Sequence, residues 1–388
     1  MNSFASLKKK IKKEKINYYK IGELANYRRG SFPQPYTNPS FYGGEGSMPF
    51  VQVADVTENY RLVEKTKNTI STIAQPLSVF VPKGTVIVTL QGTIGRVAIT
   101  QYDSYVDRTI AIFENLSDKL DRKYFAYQLK NKFNYEKQFA RGSTIKTITK
   151  EEMTDFLIPV PSLEIQKEIV DILDKFEKII EKLNEEYIER TKQFNYYLDK
   201  LLNNVDGEAM LLGDLLDYVQ PTKYIVKSTD YSDNYSIPVL TAGQTFILGY
   251  TNETDGIYHA SNDNPVIIFD DFTTSNHWID FNFKVKSSAM KMLIPKTNNN
   301  FKYIYYCLKN IKYEPKEHSR QWIQKYSNFE VVIPSISKQN EIVNFLDKID
   351  KLINKSSGKI MLEIKERNKQ YNYYLKELLS FEEVIVDE

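Results

Sequence analysis

The sequence of 388 residues has a single cysteine, Cys307, and three widely separated histidines, His259, His277 and His318. One cysteine cannot form an internal disulfide, and this one lies in the apolar stretch YIYYCLKN, which favours a small core residue over a reactive thiol. The histidines lack the spacing of zinc ligands. The sequence therefore predicts neither a disulfide framework nor a metal site.

Long hydrophobic runs and nucleotide-binding motifs are also missing. No apolar run approaches the roughly 18 residues that a membrane span needs. The basic N-terminus lacks the apolar core and the cleavage site of a secretory signal. No P-loop, GxxxxGK[ST], occurs, so the sequence does not encode that machinery for ATP hydrolysis. We expect a cytoplasmic protein without a cofactor of its own.

The charge of the chain is nearly balanced, with 52 basic and 50 acidic residues and a net charge of +2. Its pI is about 8.1, whereas domains that bind nucleic acid unaided often exceed a pI of about 9. If DNA is a partner, basic residues must cluster on one face, or other subunits must supply phosphate contacts. The lysine-rich residues 8–15 are interpreted as a solvated tail. The alternatives are a phosphate clamp and a segment packed on the helices described next.

A long internal repeat dominates the sequence. The segment PSLEIQKEIVDILDK at 161–175 recurs as PSISKQNEIVNFLDK at 334–348, and RTKQFNYYLDKLL at 190–202 recurs as RNKQYNYYLKELL at 367–379. The offset between copies is 173 residues in the first pair and 177 in the second. The second copy therefore carries four extra residues, about one helical turn.

Both copies are predicted to be long helices. In the first, apolar residues alternate at steps of four and three, which makes one seam that must pack against another helix. That seam comprises Ile165, Ile169, Ile172, Phe176, Ile179 and Leu183. In the second copy the pattern weakens at 355–358 (KSSG), where we expect a kink or a local bulge. We predict that the two helices pair with each other, and packing of each helix on its own domain is the alternative.

Two tyrosine pairs occupy matching places in the helices, Tyr196 with Tyr197 and Tyr373 with Tyr374. Tyrosine on a helix seam usually packs, so we predict packing. Base stacking and docking of a partner subunit are the alternatives.

Shorter matches precede each helix. GTVIVT at 84–89 matches NPVIIF at 264–269, and YQLKN at 127–131 matches YCLKN at 306–310. They predict short buried strands and a helix in each half. The predicted fold class is α+β: two mixed α/β domains separated by two long antiparallel coiled-coil helices, with a pseudo-twofold internal repeat. The middles of the two halves differ, as two different recognition surfaces would require. The predicted segments are a basic N-terminal segment (1–18), a first domain (19–160), a first helix (161–205), a second domain (206–333) and a second helix with a C-terminal tail (334–388).

Several blocks carry a family resemblance over nearly the whole chain. The first half has NPSFYGG, MPFVQVADV, QGTIGRV, GSTIKTIT and FLIPVPSLEI, and the second has PTKYIV, IPVLTAGQTFILGYTNE, VIIFDDFTT and KSSAMKML. Together they resemble the DNA-specificity (S) subunits of type I restriction–modification systems. The second half departs at its closing block, where RQWI at 320–323 replaces the glycine–hydroxyl turn of the first half.

The resemblance implies a non-catalytic subunit with two target-recognition domains, each of which reads one half of a split site in double-stranded DNA. It implies that the two helices space the half-sites and dock two copies of a methyltransferase (M) subunit, and that restriction (R) subunits complete the complex. The assembly would be a DNA adenine methyltransferase and an ATP-dependent endonuclease. The methyl donor and ATP would be bound by the partner subunits.

Polar and basic loop residues are the candidates for DNA contact. The turn at 141–146 offers small hydroxyls and backbone groups beside cations and can approach a phosphate. The loops near 28–34 and 273–278 can read base edges, and ordinary solvated turns are the alternative. No catalytic residue is predicted. The candidate DNA-binding residues are Arg28, Arg29, Gln34, Arg96, Arg141, Ser143, Thr144 and Lys146 in the first half, and Lys223, Thr273, Thr274, Asn276, Arg320, Gln321 and Lys325 in the second.

Two other function classes are weighed. NPSF at 38–41 is loosely similar to the NPPF loop of amino-methyltransferases, but no strand-then-glycine donor motif accompanies it. Asp270 and Asp271 could hold a nuclease metal, although carboxylates directly after the strand VIIF more simply cap a turn. A self-contained methyltransferase or nuclease is therefore disfavoured. A coiled-coil scaffold without a DNA role is disfavoured because it needs no divergent loop surfaces.

Overall fold

The computed structural model describes residues 2–139, 153–241, 246–315, 317 and 319–381. Contacts group the chain into two compact units, one formed by residues 1–184 with 362–388 and the other by residues 185–361. Each unit therefore takes one part of each long helix. The helices are α1 (Asn2–Lys13), α2 (Ile21–Leu24), α3 (Arg122–Phe139), α4 (Leu163–Asn203), α5 (Leu212–Leu215), α6 (Phe301–Asn310) and α7 (Ile336–Leu379).

The first unit is built on two four-stranded sheets. One has the order β2-β9-β6-β7 and is antiparallel, and the other has the order β4-β3-β8-β5, with β3 and β8 parallel. A further antiparallel pair joins β1 to β10, just before α4. The strands are β1 (Asn17–Lys20), β2 (Asn26–Arg29), β3 (Met48–Val51), β4 (Asn68–Ile70), β5 (Val79–Val81), β6 (Val86–Thr89), β7 (Val97–Ile99), β8 (Ser104–Val106), β9 (Ile110–Glu114) and β10 (Leu157–Val160).

The second unit repeats this plan with differences. Its antiparallel sheet has the order β12-β18-β15-β16, a three-stranded sheet has the order β14-β13-β17, and β11 pairs with β19 just before α7. The strands are β11 (Glu208–Leu211), β12 (Leu216–Val219), β13 (Ile237–Leu240), β14 (Ile247–Thr251), β15 (Val266–Asp270), β16 (Asn276–Ile279), β17 (Lys284–Val285), β18 (Met290–Pro295) and β19 (Glu330–Ile333).

One inner strand in each unit is buried along its whole length because both of its faces are covered. In β6, Val86 and Val88 pack in the core that includes α3 and α4, whereas Ile87 faces a second core. In β15, Ile267 and Phe269 face the helices, and alternate residues face the other core. The two-residue period of a strand divides its side chains between the two faces in this way. The matching blocks GTVIVT and NPVIIF are therefore equivalent strands, as the sequence predicts.

The predicted antiparallel pairing of the long helices is confirmed. In the first unit, the rings of Phe176 and Tyr374 lie 4.8 Å apart, and the Tyr371 hydroxyl donates to Glu177 Oε1 at 2.6 Å. In the second unit, Tyr197 of α4 packs against Phe345 of α7, with ring centroids 5.7 Å apart. The inner tyrosine of each repeated pair therefore packs, as predicted.

The helix seam differs from its prediction in one detail. Ile179, which the 4-3 pattern places in the seam, is 42% exposed. The seam is therefore not buried along its whole length. Helix α7 runs uninterrupted through residues 355–358, and the kink predicted there stays a prediction.

The lysine-rich N-terminus is not a solvated tail, and that prediction was wrong. Residues 2–13 form helix α1, whose Leu7 is fully buried. Phe4 packs edge-on against Tyr374, with ring centroids 4.4 Å apart. The Lys10 ammonium lies 3.1 Å from a Glu164 carboxylate oxygen on α4. The alternative, a segment packed on the helix pair, is the one observed, because an apolar face lies beneath the lysines.

Cys307 lies in α6 and is buried, as predicted. Burial raises the pKa of its thiol to about 12, so the thiolate is disfavoured at neutral pH. Within the described ranges, no cluster of three or more His, Cys, Asp or Glu side chains is arranged to hold a metal ion. Among the helices of those ranges, none is both long and apolar enough to cross a membrane.

Candidate nucleic-acid interface

Strand β2 of the first unit and the loop that follows it carry three of the candidate residues. Arg28 and Arg29 lie at the end of β2 and are exposed, and the Arg28 guanidinium forms an ion pair with Glu114 at 2.8 Å. Gln34 is exposed in the following loop. The chain leaves β2 at Gly30, where a Cβ would lie only 2.1 Å from the Val106 carbonyl oxygen. Only glycine fits this close approach, which fixes where the loop begins.

An aromatic cluster holds that loop in place. Phe32 stacks on Phe50 with centroids 4.4 Å apart, and the Tyr36 hydroxyl donates to Asp107 Oδ2 at 2.5 Å. Burial and the bond to Asp107 raise the pKa of Tyr36 above its usual value. Arg108, beside Asp107, is exposed and has its guanidinium 5.4 Å from the Tyr36 ring. Sequence reasoning missed Arg108. The only sequence signal for Arg108 was that it forms a charged pair with Asp107 in the turn between β8 and β9.

Arg96 forms an ion pair and a hydrogen bond within the first unit. Its Nε lies 2.9 Å from Glu58, and a second guanidinium nitrogen donates to the Val56 carbonyl at 3.3 Å. Lys130 reaches the same Glu58 carboxylate at 3.3 Å. Burial raises the pKa of Glu58, but Arg96 and Lys130 outweigh it, and the pKa is lowered overall. Arg96 thus braces a loop. The other candidates of this half, Arg141, Ser143, Thr144 and Lys146, lie outside the described residues.

The Asp270–Asp271 pair in the second unit caps the turn after β15. Asp270 Oδ1 accepts the Phe272 backbone N–H at 2.9 Å, and Oδ2 accepts the Thr273 hydroxyl at 2.5 Å. The Asp271 Oδ1 accepts the Trp322 backbone N–H at 2.8 Å. This is the strand-end turn that the sequence favours over a metal pair.

That turn is joined to the segment that replaces the glycine–hydroxyl turn. The Gln321 backbone N–H donates to the Asp271 carbonyl at 2.8 Å, and the buried Trp322 ring packs on Phe269 with centroids 5.3 Å apart. Gln321 is itself buried, and its amide donates to the Ser319 carbonyl at 2.7 Å. Its side chain therefore supports the segment from within.

The second-half candidates divide by exposure. Thr273, Arg320 and Lys325 are exposed near the joined turns, whereas Thr274 is buried with a φ of 64°. Asn276 is half-buried, and its side-chain oxygen has no hydrogen-bond partner among the residues described. In a separate turn, Pro221–Tyr224, Lys223 is exposed. The structure thus brings together the 273–276 turn and the 320–325 segment.

Two cations flank the free oxygen of Asp271. The Lys291 ammonium and the Arg320 Nη1 each lie 4.0 Å from Asp271 Oδ2. Lys291 is 1% exposed, and its ammonium lies 4.3 Å from the centre of the Tyr218 ring. Burial lowers the pKa of Lys291, and Asp271 opposes that shift. Asp271 thus fixes the backbone with one oxygen and attracts two cations with the other.

Comparison with known proteins gives a consistent result. The family model for the type I restriction modification DNA specificity domain matches twice, at residues 13–190 and 204–366. Over 198 residues the chain is 53% identical to the specificity subunit of the type I restriction enzyme EcoR124I/EcoR124II of Escherichia coli, a match that covers 48% of either protein. Over 387 residues it is 23% identical to the EcoprrI specificity subunit of Escherichia coli, covering 91% of this chain and 92% of that one.

Solved structures are similar in fold. The S subunit of a type I restriction–modification system from M. genitalium aligns with a TM-score of 0.59 at 16% identity, over 95% of this chain and 97% of that one. A chain from a study of complex assembly and conformational transition of the type I system aligns with a TM-score of 0.52 at 13% identity, over 94% and 97%.

Proposed function

Because the chain belongs to the family of type I restriction–modification DNA-specificity subunits, we propose that it reads a bipartite sequence in double-stranded DNA. The globular part of each unit recognises one half-site. The observation that carries this proposal is a shared frame with unlike loops. Tyr127 donates to Asp174 on α4 at 2.8 Å, and Tyr306 makes the equivalent bond to Asp347 on α7 at 2.5 Å. The segments that follow the equivalent strands β2 and β12 have no such likeness, because residues 30–38 form a loop whereas Pro221–Tyr224 form a 3-10 helix, and two different reading surfaces require such a difference.

Within each surface the contacts divide by type. We assign base-edge contacts to the exposed Arg28, Arg29 and Gln34 of the first unit and to the exposed Thr273 and Arg320 of the second. Lys223 and Lys325 are exposed cations that suit phosphates. From the sequence alone, phosphate contact remains the prediction for Arg141 and Lys146, beside the hydroxyls of Ser143 and Thr144.

The chain itself carries out no chemistry in this proposal. The carboxylates of Asp270 and Asp271 accept backbone N–H groups of their own fold, which disfavours a nuclease role for them. The methyl donor and ATP are bound by partner subunits, which perform methyl transfer and cleavage. Two copies of a methyltransferase subunit dock on the helices, and restriction subunits join the complex.

The repeated tyrosines support two docking positions. Tyr196 and Tyr373 occupy the same place in the two repeats and are 59% and 54% exposed, although their neighbours Tyr197 and Tyr374 pack inward. Tyrosines that are exposed on a free subunit are often anchor residues of its interfaces with other proteins. One such anchor in each repeat fits two copies of one partner.

Deletion of the gene tests the proposed function. Methylation of the host genome is mapped with the gene, without it, and with the gene restored. We expect one split motif to lose its methylation on deletion and to regain it on restoration. A methylation pattern that is indifferent to the gene would contradict the proposal.

A further inference from the structure

Arginine is nearly absent from the second recognition domain. Within residues 206–333 it occurs once, as Arg320. The planar guanidinium offers two parallel N–H donors that match O6 and N7 of guanine in the major groove, and lysine lacks this fork. If an arginine of this domain reads a guanine in the second half-site, that arginine must therefore be Arg320.

The backbone beside Arg320 is fixed at two points. The N–H groups of Gln321 and Trp322 donate to the carbonyl and to the carboxylate of Asp271, each at 2.8 Å. The Trp322 side chain is fully buried against Phe269. A residue that projects from such a fixed backbone loses little backbone entropy when it binds, so it is suited to precise contacts.

Asp271 attracts the Arg320 side chain, which nevertheless remains partly exposed to solvent. That side chain is 52% exposed, and Nη1 lies 4.0 Å from Asp271 Oδ2, an oxygen that accepts no hydrogen bond among the described residues. The buried Lys291 lies at the same distance from that oxygen and compensates its charge. Arg320 is therefore not needed to neutralise Asp271, and about half of its side chain is exposed to solvent.

We propose that Arg320 reads a guanine in the half-site of the second unit and that Asp271 is its positioning residue. This inference rests on the proposed function and adds the base that the site takes. A phosphate contact is the competing role. It would use the charge of Arg320 and not its fork, so lysine would substitute for it.

The test uses the complex reconstituted with its methyltransferase subunit and a panel of duplexes. Each duplex changes one base pair of the target found by methylation mapping, and binding is measured. For the wild type we expect one G·C pair of one half-site whose replacement weakens binding by roughly 10- to 100-fold. In R320A this preference should fall to about 2-fold or less, since the contact is lost. In R320K it should fall at least several-fold, because an ammonium group lacks the planar fork of the guanidinium. D271N should lose part of the same preference at the same base pair.

The controls separate the outcomes. Arg190→Lys changes an arginine of α4 that is paired with Glu186, and we expect it to keep every preference. The first half-site reports on folding in every variant, and R320K decides the matter even where D271N is unstable. Unchanged preferences in R320K would overturn the inference. So would an equal loss on all duplexes in R320A with a salt slope lower by about one, the signature of a phosphate contact. A wild type without any split motif would instead refute the proposed function.

Discussion

Gln166 and Gln339 make the same hydrogen bonds at the starts of the two long helices. The side-chain oxygen of Gln166 accepts the Asp121 backbone N–H at 2.7 Å, and that of Gln339 accepts the Asn300 N–H at 2.8 Å. Each amide nitrogen also donates to the proline carbonyl five residues earlier, at 2.8 and 2.9 Å. Both side chains are fully buried. One buried glutamine thus ties each long helix to the start of the shorter helix of its own unit.

Replacement of these glutamines should destabilise one unit at a time. Gln166→Ala leaves buried partners without a hydrogen bond, which costs about 1–3 kcal/mol. We expect faster amide hydrogen exchange in the first unit, and Gln339→Ala should do the same in the second. Gln370→Ala, at an exposed position, is the control and should change stability by less than about 0.5 kcal/mol. Equal acceleration in both units by either variant would contradict this account.

Helix α1 should depend on Leu7. Leu7→Ala removes a fully buried side chain, a change that costs about 2–5 kcal/mol in a well-packed core. We expect α1 to detach, so that trypsin cleaves the lysine-rich segment much faster than in the wild type. Ser6→Ala changes an exposed neighbour and leaves every lysine in place, and it should cleave at the wild-type rate. Unchanged cleavage of Leu7→Ala would show that α1 is held by its lysine ion pairs instead.

The purified chain should have no methylation, cleavage or ATPase activity. The proposal assigns the methyl donor and ATP to partner subunits, so methyl transfer should begin only when the modification subunit is added. Incorporation of labelled methyl groups into duplex DNA measures this directly. Turnover by the lone chain would make it a self-contained enzyme.

The spacing of the half-sites should follow the length of the helices. Four residues inserted between Leu183 and Tyr187 add about one turn, roughly 6 Å, and nearly preserve the seam. Base pairs stack at about 3.4 Å, so we expect both half-sites to be retained with one or two additional unspecified base pairs between them. Replacement of residues 184–186 by three alanines keeps the length and should keep the spacing. Altered half-sites with unchanged spacing would rule out this role of the helices.

The repeat explains why much of the fold was predictable. Two copies of a helical seam predict two paired helices, and two apolar blocks of matching position predict the inner strands β6 and β15. Helix α1 was missed because its lysines outnumber its apolar residues. The helical spacing of Phe4, Leu7 and Ile11 was the available signal, and all three pack in one core.

The candidate site was less predictable because exposure depends on tertiary contacts. Gln321 and Arg320 are neighbours with similar polarity, yet the first is buried and the second is exposed. That difference arises from Asp271, some 50 residues earlier, which accepts hydrogen bonds from the backbone N–H groups of Gln321 and Trp322. No local pattern encodes such a contact. Composition nevertheless marks Arg320, since it is the one arginine of its domain.

Exchange of one recognition domain tests the central claim most directly. Residues 19–160 are replaced by the corresponding domain of a family member with a known, different target, and methylation is mapped with the same partner subunits. We predict that one half-site changes to that of the donor, while the other half-site and the spacing stay as in the wild type. A change in both half-sites, or in neither, would contradict the claim that each unit reads its own half of a split target.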